Sequence, residues 1–509
     1  MKKLVCMLLA LAMIAAVAIG CAETNRPEPG TTTGTGSTGK GDGTEVTDEV
    51  TTARILPNLP EMDYDGREYR ILASNVFGYR IWEDLFVESE GDNPISQGVW
   101  RRNLAVEEKY KVKITMREEQ YLDYEGLIQQ TASTGESIAD VYVSLGDNIQ
   151  RLYGQNVFAN LADMDYLELD KPWWNQGAVD SFNINGYMPF GICNLTINDF
   201  GTAGAIFFNK RLATDYNVGN MYEIVENKEW TMAKLLELCK PLYIDLDKDG
   251  HEGPLDQFGL TGDDGLVNHF FVSGGGRYVS KDDEGLPYDS FYTQRNVNMM
   301  QYFLEQILFD KQITFNSSQF KVEDEPYSGS YNNTIFSEGR ALFKQGPLSV
   351  TEQFRESMID DFGIIPVPMY DETQKDYCSL AQPYGGSVVS IPYYVDDADF
   401  SSIILEALAA EAHYTLVPGF YDVVLKTKNT RDDESAAMIE LILNNRVYDL
   451  GMYYNFAGFA MNTVFLTGCQ EWYSGVSQTS DIASYYAKYE TQVAKAISKL
   501  IKAVEKWGY

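Results

Sequence analysis

Short apolar strands alternate with amphipathic helices at the start of the folded part of this chain, and this alternation most constrains its fold. Strand, helix, strand, helix and strand are predicted over residues 69–75, 97–111, 112–116, 121–131 and 139–145. Such β-α-β units build a parallel sheet with helices on its faces. A further helix is expected to begin at Asp147, its N-cap. Ligands of parallel sheets bind beyond the carboxyl ends of the strands, so the segments after Ala73 and Leu145 are predicted to line a site.

Later blocks of the chain follow one another in the order found in one family of binding proteins. They include a strand ending in Asn209-Lys210, a helix start at Trp230-Thr231, and an F-x-x-G-x-A pattern from Phe336. Further blocks cover residues 361–368, 384–392 and 405–449. From about residue 66 onward, the chain resembles extracellular solute-binding proteins of family 1, the carbohydrate ABC-transporter class that includes maltose-binding protein.

The resemblance implies an α/β fold of the type II periplasmic-binding-protein kind. Two lobes, each a mostly parallel sheet flanked by helices, are joined by a hinge that lets a cleft close on a ligand. The expected first lobe holds residues 55–200 and 345–391, and the second holds residues 201–344 and 392–509. About 455 residues after the N-terminal region are too many for one simple core, which agrees with two lobes.

The resemblance also places ligand contacts in four loops and at one further aromatic residue. They are Ser74, Asn75, Tyr79 and Trp82 after strand one, Gly146 and Asp147 after strand three, Asn198 and Asp199 at the first crossing, Tyr384 and Gly385 near the second return, and Trp472. Sugars stack their apolar faces on aromatic rings and give hydroxyls to Asp and Asn, so the residue types fit. Asp199 is the strongest candidate, whereas Trp82 and Trp472 fit core packing equally well.

The first 54 residues are expected to give the chain its location. Lys2 and Lys3 precede an apolar run and Gly20, as in a secretory signal peptide of residues 1–20. Ala18-Ile19-Gly20-Cys21 resembles a bacterial lipobox, in which Cys21 carries the lipid. Residues 21–54, rich in Gly and Thr, are then a flexible tether. We expect a protein on the extracellular face of the cytoplasmic membrane, held by its lipid alone.

Charge and cysteine content exclude some classes of function. With 74 acidic and 40 basic residues the net charge is −34, which disfavours nucleic-acid binding and favours a soluble monomer. Cys193, Cys239, Cys378 and Cys469 lack metal-type spacing, and either free thiols or disulfides are compatible with the sequence. The three histidines are far apart in sequence, which disfavours a His-rich metal site.

One acidic loop has the spacing of a calcium site. Asp245, Asp247 and Asp249 occupy positions one, three and five, Gly250 the turn, His251 the carbonyl position, and Asp256 position twelve. Asp256 stands where Glu is usual, so weak binding of a structural Ca²⁺ is expected. The alternative is a solvated acidic turn.

These features favour one function over two others. The leading hypothesis is a binding protein, not an enzyme, that captures a carbohydrate, most simply an oligosaccharide, for an ABC permease. One alternative is a surface glycoside hydrolase using two carboxylates, for which no motif selects a pair. Another is a glycan-capture adhesin without a transporter, and non-carbohydrate solutes also suit this fold.

Overall fold

Two β-sheets, each covered by helices, organise the part of the chain that the computed structural model describes. That part comprises residues 54–75, 81–152, 154–319, 329–425, 433–456, 465–466, 468–469, 471–472 and 481–509. Residues Leu56–Tyr509 form one compact unit. The expected signal peptide, Cys21 and nearly all of the tether lie outside the described residues, as does Tyr79.

The strands and helices are numbered here in chain order. The strands are β1 Arg67–Asn75, β2 Val112–Gln120, β3 Val141–Leu145, β4 Gly204–Asn209, β5 Phe258–Gly262, β6 Val279–Lys281, β7 Pro287–Asp289, β8 Thr314–Asn316, β9 Ala341–Pro347, β10 Phe362–Ile365, β11 Ser379–Leu380, β12 Ser387–Ser390 and β13 Arg446–Val447. The helices are α1 Pro94–Tyr110, α2 Tyr121–Thr134, α3 Gln176–Phe182, α4 Asn198–Gly201, α5 Lys210–Asp215, α6 Met221–Glu226, α7 Met232–Cys239, α8 Leu266–Ser273, α9 Gln294–Phe303, α10 Gly329–Ser337, α11 Thr351–Ser357, α12 Ala398–Leu425, α13 Asp433–Asn444, α14 Leu450–Tyr453, α15 Ile482–Ala487 and α16 Glu490–Trp507.

The first sheet confirms the predicted β-α-β start of the fold. Its strand order is β12-β3-β1-β2, with β1 parallel to both β2 and β3 and with β12 antiparallel to β3. Helix α1 begins where Asn93 accepts a hydrogen bond from the backbone N–H of Ser96, and proline occupies its first position. The carboxyl ends of β1, β2 and β3 therefore lie along one edge, with Asn75, Gln120 and Leu145 as the last strand residues.

The second sheet is mixed and has the order β10-β4-β9-β5-β8. Strand β5 runs parallel to β8 and β9, and β4 runs antiparallel to β9. The predicted helix after Trp230 is confirmed as α7, where the Thr231 side chain accepts from the N–H of Lys234. The α/β fold class expected from the sequence is confirmed, and the carboxyl ends of three parallel strands again share an edge.

Sheet membership differs from the expected lobe boundaries at two places. Strand β10, expected in lobe one, pairs with β4 of the second sheet, because Phe362 and Ile364 pack in the same core as Phe207. Helix α12, expected in lobe two, packs along α1 beside the first sheet. Its apolar residues, such as Phe400 and Leu408, share a core with the strands of that sheet. Both placements follow from long-range packing of apolar faces.

The described cysteines form no disulfide, and the described helices differ from membrane-spanning helices in length or composition. Cys193, Cys239, Cys378 and Cys469 are all free thiols, so the thiol alternative holds for these four. Within the described ranges, no helix has the length and apolar character needed to cross a bilayer.

Candidate functional site

Three chain segments lie side by side where the two sheets meet. The first crossing, residues 197–204, leads into β4, and its Ala203 bridges Ala381 of the second return, residues 381–387, which leads into β12. Strand β13 pairs in parallel with β11, so the chain around Arg446 forms the third segment. Only glycine fits at position 204, because a Cβ there would lie 2.2 Å from the His269 ring. We call this arrangement the three-segment hinge.

Hydrogen bonds at this hinge join three of the four loops predicted to bind ligand. The backbone N–H of Gly146 donates to Gly386 O at 2.9 Å, and that of Asp147 donates to Pro383 O at 3.4 Å. The Asn198 amide donates to Gly385 O. The loop after β3, the first crossing and the second return thus meet at the carboxyl edge of the first sheet, where ligands of such sheets bind.

Of the residues predicted to bind ligand at the end of β1, Ser74 contacts the loop after β3, whereas Asn75 contacts β2. Ser74 is buried, and its hydroxyl donates to Asn148 Oδ1 at 2.6 Å, which ties the end of β1 to the loop after β3. The Asn75 amide instead donates to Glu118 on β2. The side chain of Trp82 lies outside the described residues.

Two predicted aromatic residues lie against the core. Tyr384 is half-buried and packs on the main apolar cluster, close to the second return. Trp472 stacks on Phe309 with ring centroids 4.3 Å apart and an interplanar angle of 6°. The described contacts of the Trp472 ring are therefore those of a packing residue in the second half of the chain, the alternative that the sequence left open.

Asp147 is a half-buried carboxylate at the edge of the site. The prediction that a helix starts there with Asp147 as its N-cap is wrong, because residues Gly146–Asn148 form a single 3-10 turn without a side-chain cap. The Asp147 carboxylate faces Tyr121, whose hydroxyl donates to Asp147 Oδ2 at 2.6 Å. Oδ1 is buried and has no hydrogen-bond partner among the described residues. Burial raises the pKa of Asp147. An unsatisfied acceptor here is a natural partner for a ligand hydroxyl.

Asp199 forms a buried ion pair instead of facing the cleft freely. Its carboxylate accepts from the guanidinium of Arg446 and from the Tyr448 hydroxyl, the latter at 2.8 Å. The Arg446 guanidinium also lies 4.7 Å above the Phe200 ring. Burial lowers the Arg446 pKa, but the Asp199 charge and neighbouring tyrosines more than offset this, so the pKa is raised.

A cavity of about 400 Å³ opens beside this ion pair. Its walls combine aromatic and amide side chains from α12, from the end of α13, from the segments before and after α3, and from the hinge. They include Trp174, Phe200, Tyr421, Asn194 and Asn444. The Asp199 Oδ1 atom is buried there without a hydrogen-bond partner in the described part of the chain. The sequence therefore identified Asp199 as a hinge residue but not its ion pair.

A second cavity, of about 190 Å³, lies on another side of Asn198. It is lined by Glu83 and Asp84 after β1, by the first crossing, and by Ser349 and Arg355 after β9. Residues that follow strands of both sheets thus meet in one space.

Asp84 and Arg102 hold the wall of this second cavity in place, and neither was predicted from the sequence. Asp84 accepts the N–H of Ile197 at 3.0 Å, and burial raises its pKa to about 7. The fully buried Arg102 guanidinium donates to the carbonyls of Asp84, Leu85 and Leu195 at 2.7–2.8 Å. Burial lowers the Arg102 pKa to about 10. The sequence signal for this role was the position of Arg102 within the amphipathic helix predicted over residues 97–111.

The acidic loop fits a divalent cation in part. Carboxylate oxygens of Asp245, Asp247 and Asp249 lie within 4.8 Å of one another. Asp256 is buried, but its two oxygens accept from the N–H groups of Leu246 and Gly253 at 3.0 Å. His251 is exposed, and its N–H donates to Asp249. Three carboxylates suit Ca²⁺, whereas Asp256 closes the loop through the backbone.

Solved structures provide the comparison for this geometry. A Listeria monocytogenes ABC substrate-binding protein in complex with cycloalternan matches with a TM-score of 0.51 and 14% identity, over 87% of this chain and 100% of that one. The maltose/maltodextrin-binding domain MalE of Bdellovibrio bacteriovorus bound to maltotriose gives 0.51 and 13% over 86% and 100%. The GacH receptor of Streptomyces glaucescens, studied with acarbose, gives 0.52 and 13% over 84% and 99%.

These likenesses establish the fold, the two-lobe architecture of periplasmic binding proteins. No protein-family model matches the chain, and no curated protein matches its sequence.

Proposed function

We propose that this chain is an extracellular solute-binding protein that captures a carbohydrate between its two lobes and presents it to an ABC importer. The observation that carries the proposal is the meeting of the loop after β3, the first crossing and the second return at one sheet edge, through Gly146, Asp147 and Asn198. The fold shared with oligosaccharide-bound proteins supports the choice of ligand.

The chemistry of the site suits a polyhydroxylated ligand. Asp147 Oδ1 is an acceptor without a partner, so a sugar hydroxyl that donates to it replaces a missing hydrogen bond. The two cavities beside the first crossing, one lined by Asp199 and the other by Asn198, offer room for such a ligand. A ligand that contacts both lobes stabilises the closed form by its differential affinity for that form.

Attachment to the membrane is part of the proposal. A lipid on Cys21 and the tether behind it hold the binding unit near the permease without a spanning helix. Expression in a bacterial host with a labelled fatty acid tests this point. Label in the wild-type chain and none in Cys21→Ser supports the anchor, whereas equal label in both contradicts it.

Ligand binding is tested by thermal unfolding of the purified chain against an oligosaccharide panel that includes maltotriose and cycloalternan. A ligand at about 100 times its Kd adds about 2.7 kcal/mol to the free energy of unfolding. We expect a rise in Tm with one sugar class and none with the others. Absence of any rise across the panel would contradict carbohydrate capture.

Two controls sharpen the experiment. Asp147→Ala is expected to reduce the ligand-induced shift, while Asp165→Ala, which removes an exposed carboxylate outside the described site, leaves it unchanged. Chromatography of the sugar after incubation tests for catalysis. Unchanged sugar agrees with a binding protein, and consumption of the sugar would favour the hydrolase.

A further inference from the structure

A lysine is buried at the ligand-facing end of the second sheet. Lys344 lies in β9, three residues before the strand ends, and only 5% of it is exposed. Its ammonium group donates to the carbonyl of Gln345. Among the described residues, no carboxylate forms an ion pair with it. Lysines are almost never fully buried unless they are paired, so this position is unusual.

Burial of the Lys344 ammonium group is unfavourable in the protein without ligand. Desolvation lowers its pKa to about 8, with the charge of Asp263 acting in the opposite direction. The group therefore still carries most of its charge at neutral pH, although no carboxylate of the described residues lies close enough to form an ion pair with it. A buried charge without an ion pair costs the folded state free energy, which an apolar side chain of similar length would avoid.

Two more buried donors lie on elements that contact this part of the sheet. Thr261 of β5 is the register partner of Lys344, so the two side chains share one face of the sheet. The Thr261 hydroxyl donates to Asn332 Oδ1 at 3.1 Å, while Asn332 Nδ2 is buried and has no hydrogen-bond partner among the described residues. Ser317 Oγ, directly after β8, is also buried without a partner in the described residues. Helix α10, which carries Asn332, contacts β5, β9 and the turn that begins at Ser317.

Gly346 leaves space beside the ammonium group. It follows Lys344 by two residues and shares its face of β9, and a Cβ at this position would lie 3.3 Å from Lys344 Nζ. The strand ends one residue later, at Pro347. On this face of β9, no side chain of the strand itself therefore lies between the ammonium group and the strand end, while Val350 Cγ2 would lie 3.6 Å from the same Cβ position.

We propose that Lys344, with Asn332 and Ser317, forms a subsite for an anionic group of the ligand, so that the captured carbohydrate is an acidic sugar bearing a carboxylate. Among the described residues, a charge without an ion pair and two donors without acceptors are together complementary to a carboxylate, which offers two acceptor oxygens and a negative charge. This inference rests on the proposed function, because it describes the ligand of the same cleft.

Calorimetric titration with matched ligands tests the subsite. The probes are trisaccharides of galacturonate or glucuronate and the neutral galactose or glucose trisaccharides of the same linkage. We expect tighter binding of one acidic probe by the wild-type chain. Lys344→Met is expected to weaken that binding about 10- to 100-fold, the range for a hydrogen bond to a charged group. Lys344→Arg retains part of it.

The variants distinguish lost binding from lost folding. Lys344→Met removes an unpaired buried charge, so its Tm without ligand is expected to equal or exceed that of the wild type. Lys311→Met, at an exposed position before β8, is the control for loss of one positive charge and is expected to bind as the wild type does. Gly346→Ala is expected to weaken binding of the acidic probe by closing the space beside Nζ.

Each remaining outcome decides a different question. Binding of neutral but not acidic probes would overturn the subsite and leave the proposed function standing. Equal binding of the acidic probe by the wild type and Lys344→Met would overturn the assignment to Lys344. Absence of binding to both classes would overturn this inference, and it would overturn the proposed function as well only if the wider oligosaccharide panel also gave no rise in Tm.

Discussion

Arg446 provides the sharpest test of how the hinge is held together. Its guanidinium pairs with Asp199, and the side chains are only 7% and 3% exposed. Replacing Arg446 by Met leaves a buried carboxylate with the Tyr448 hydroxyl as its remaining described hydrogen-bond donor. Removal of one member of a buried ion pair costs about 3–5 kcal/mol, because the other charge stays desolvated. We expect Arg446→Met to lose free energy of unfolding in this range.

A double variant separates the buried charge from the lost packing. In Asp199→Asn/Arg446→Met both charges are absent, while the Asn oxygen still accepts from Tyr448. Because replacing a whole buried pair by neutral groups is often close to neutral, the double variant is expected to recover at least half of the loss. Urea unfolding followed by tryptophan fluorescence measures all three proteins at one pH.

An exposed ion pair gives the matched control. Arg101 pairs with Glu90 at 2.9 Å, with side chains 60% and 50% exposed. Arg101→Met is expected to change the free energy of unfolding by less than about 1 kcal/mol. The reasoning would be refuted if Arg446→Met were as mild as Arg101→Met, or if the double variant were as unstable as Arg446→Met alone.

Two further predictions concern pH and calcium. Glu406 accepts from the indoles of Trp173 and Trp174, and burial raises its pKa from 4.5 to about 7. Its contribution is fully present below pH 4.5 and is lost as the pH rises through 7, by about 3 kcal/mol. In urea unfolding at pH 4.5 and 8, Glu406→Gln should therefore lose less stability with rising pH than the wild type, and parallel curves would contradict this. For the acidic loop, we expect Ca²⁺ to raise the Tm of the wild type and not of Asp245→Asn/Asp249→Asn; calcium-independent unfolding of the wild type would mark a solvated turn.

Local sequence patterns predicted most of the elements that position the site. The first three strands and the two helices between them follow hydrophobic periodicity, and Thr231 marked the start of α7 through its capping side chain. These features depend on residues within about one turn or one strand of each other, which is what a sequence window can report.

The chemistry of the site depends on partners that are distant in sequence. Asp199 is separated from Arg446 by 247 residues, and Trp173 from Glu406 by 233. No pattern near Asp199 shows that a guanidinium will cover it. Asp147 illustrates the same limit, since an N-cap and a carboxylate facing Tyr121 have the same local sequence. The loops could be assigned to the site, whereas the pairing within them required the structure.

The three-segment hinge has a mechanical consequence. Ala203 bridges Ala381, and β11 pairs with β13, so the connecting chains are bonded edge to edge as a narrow ribbon. A hydrogen-bonded ribbon bends readily across its flat face but resists sliding or splaying within its plane, because those movements break its ladder. We therefore expect the two sheets to approach each other mainly by rotation across the flat face of this ribbon. In the proposed solute-binding role, a hinge of this kind would return to the same closed geometry each time, so that discrimination between ligands would depend on their fit in that one closed form.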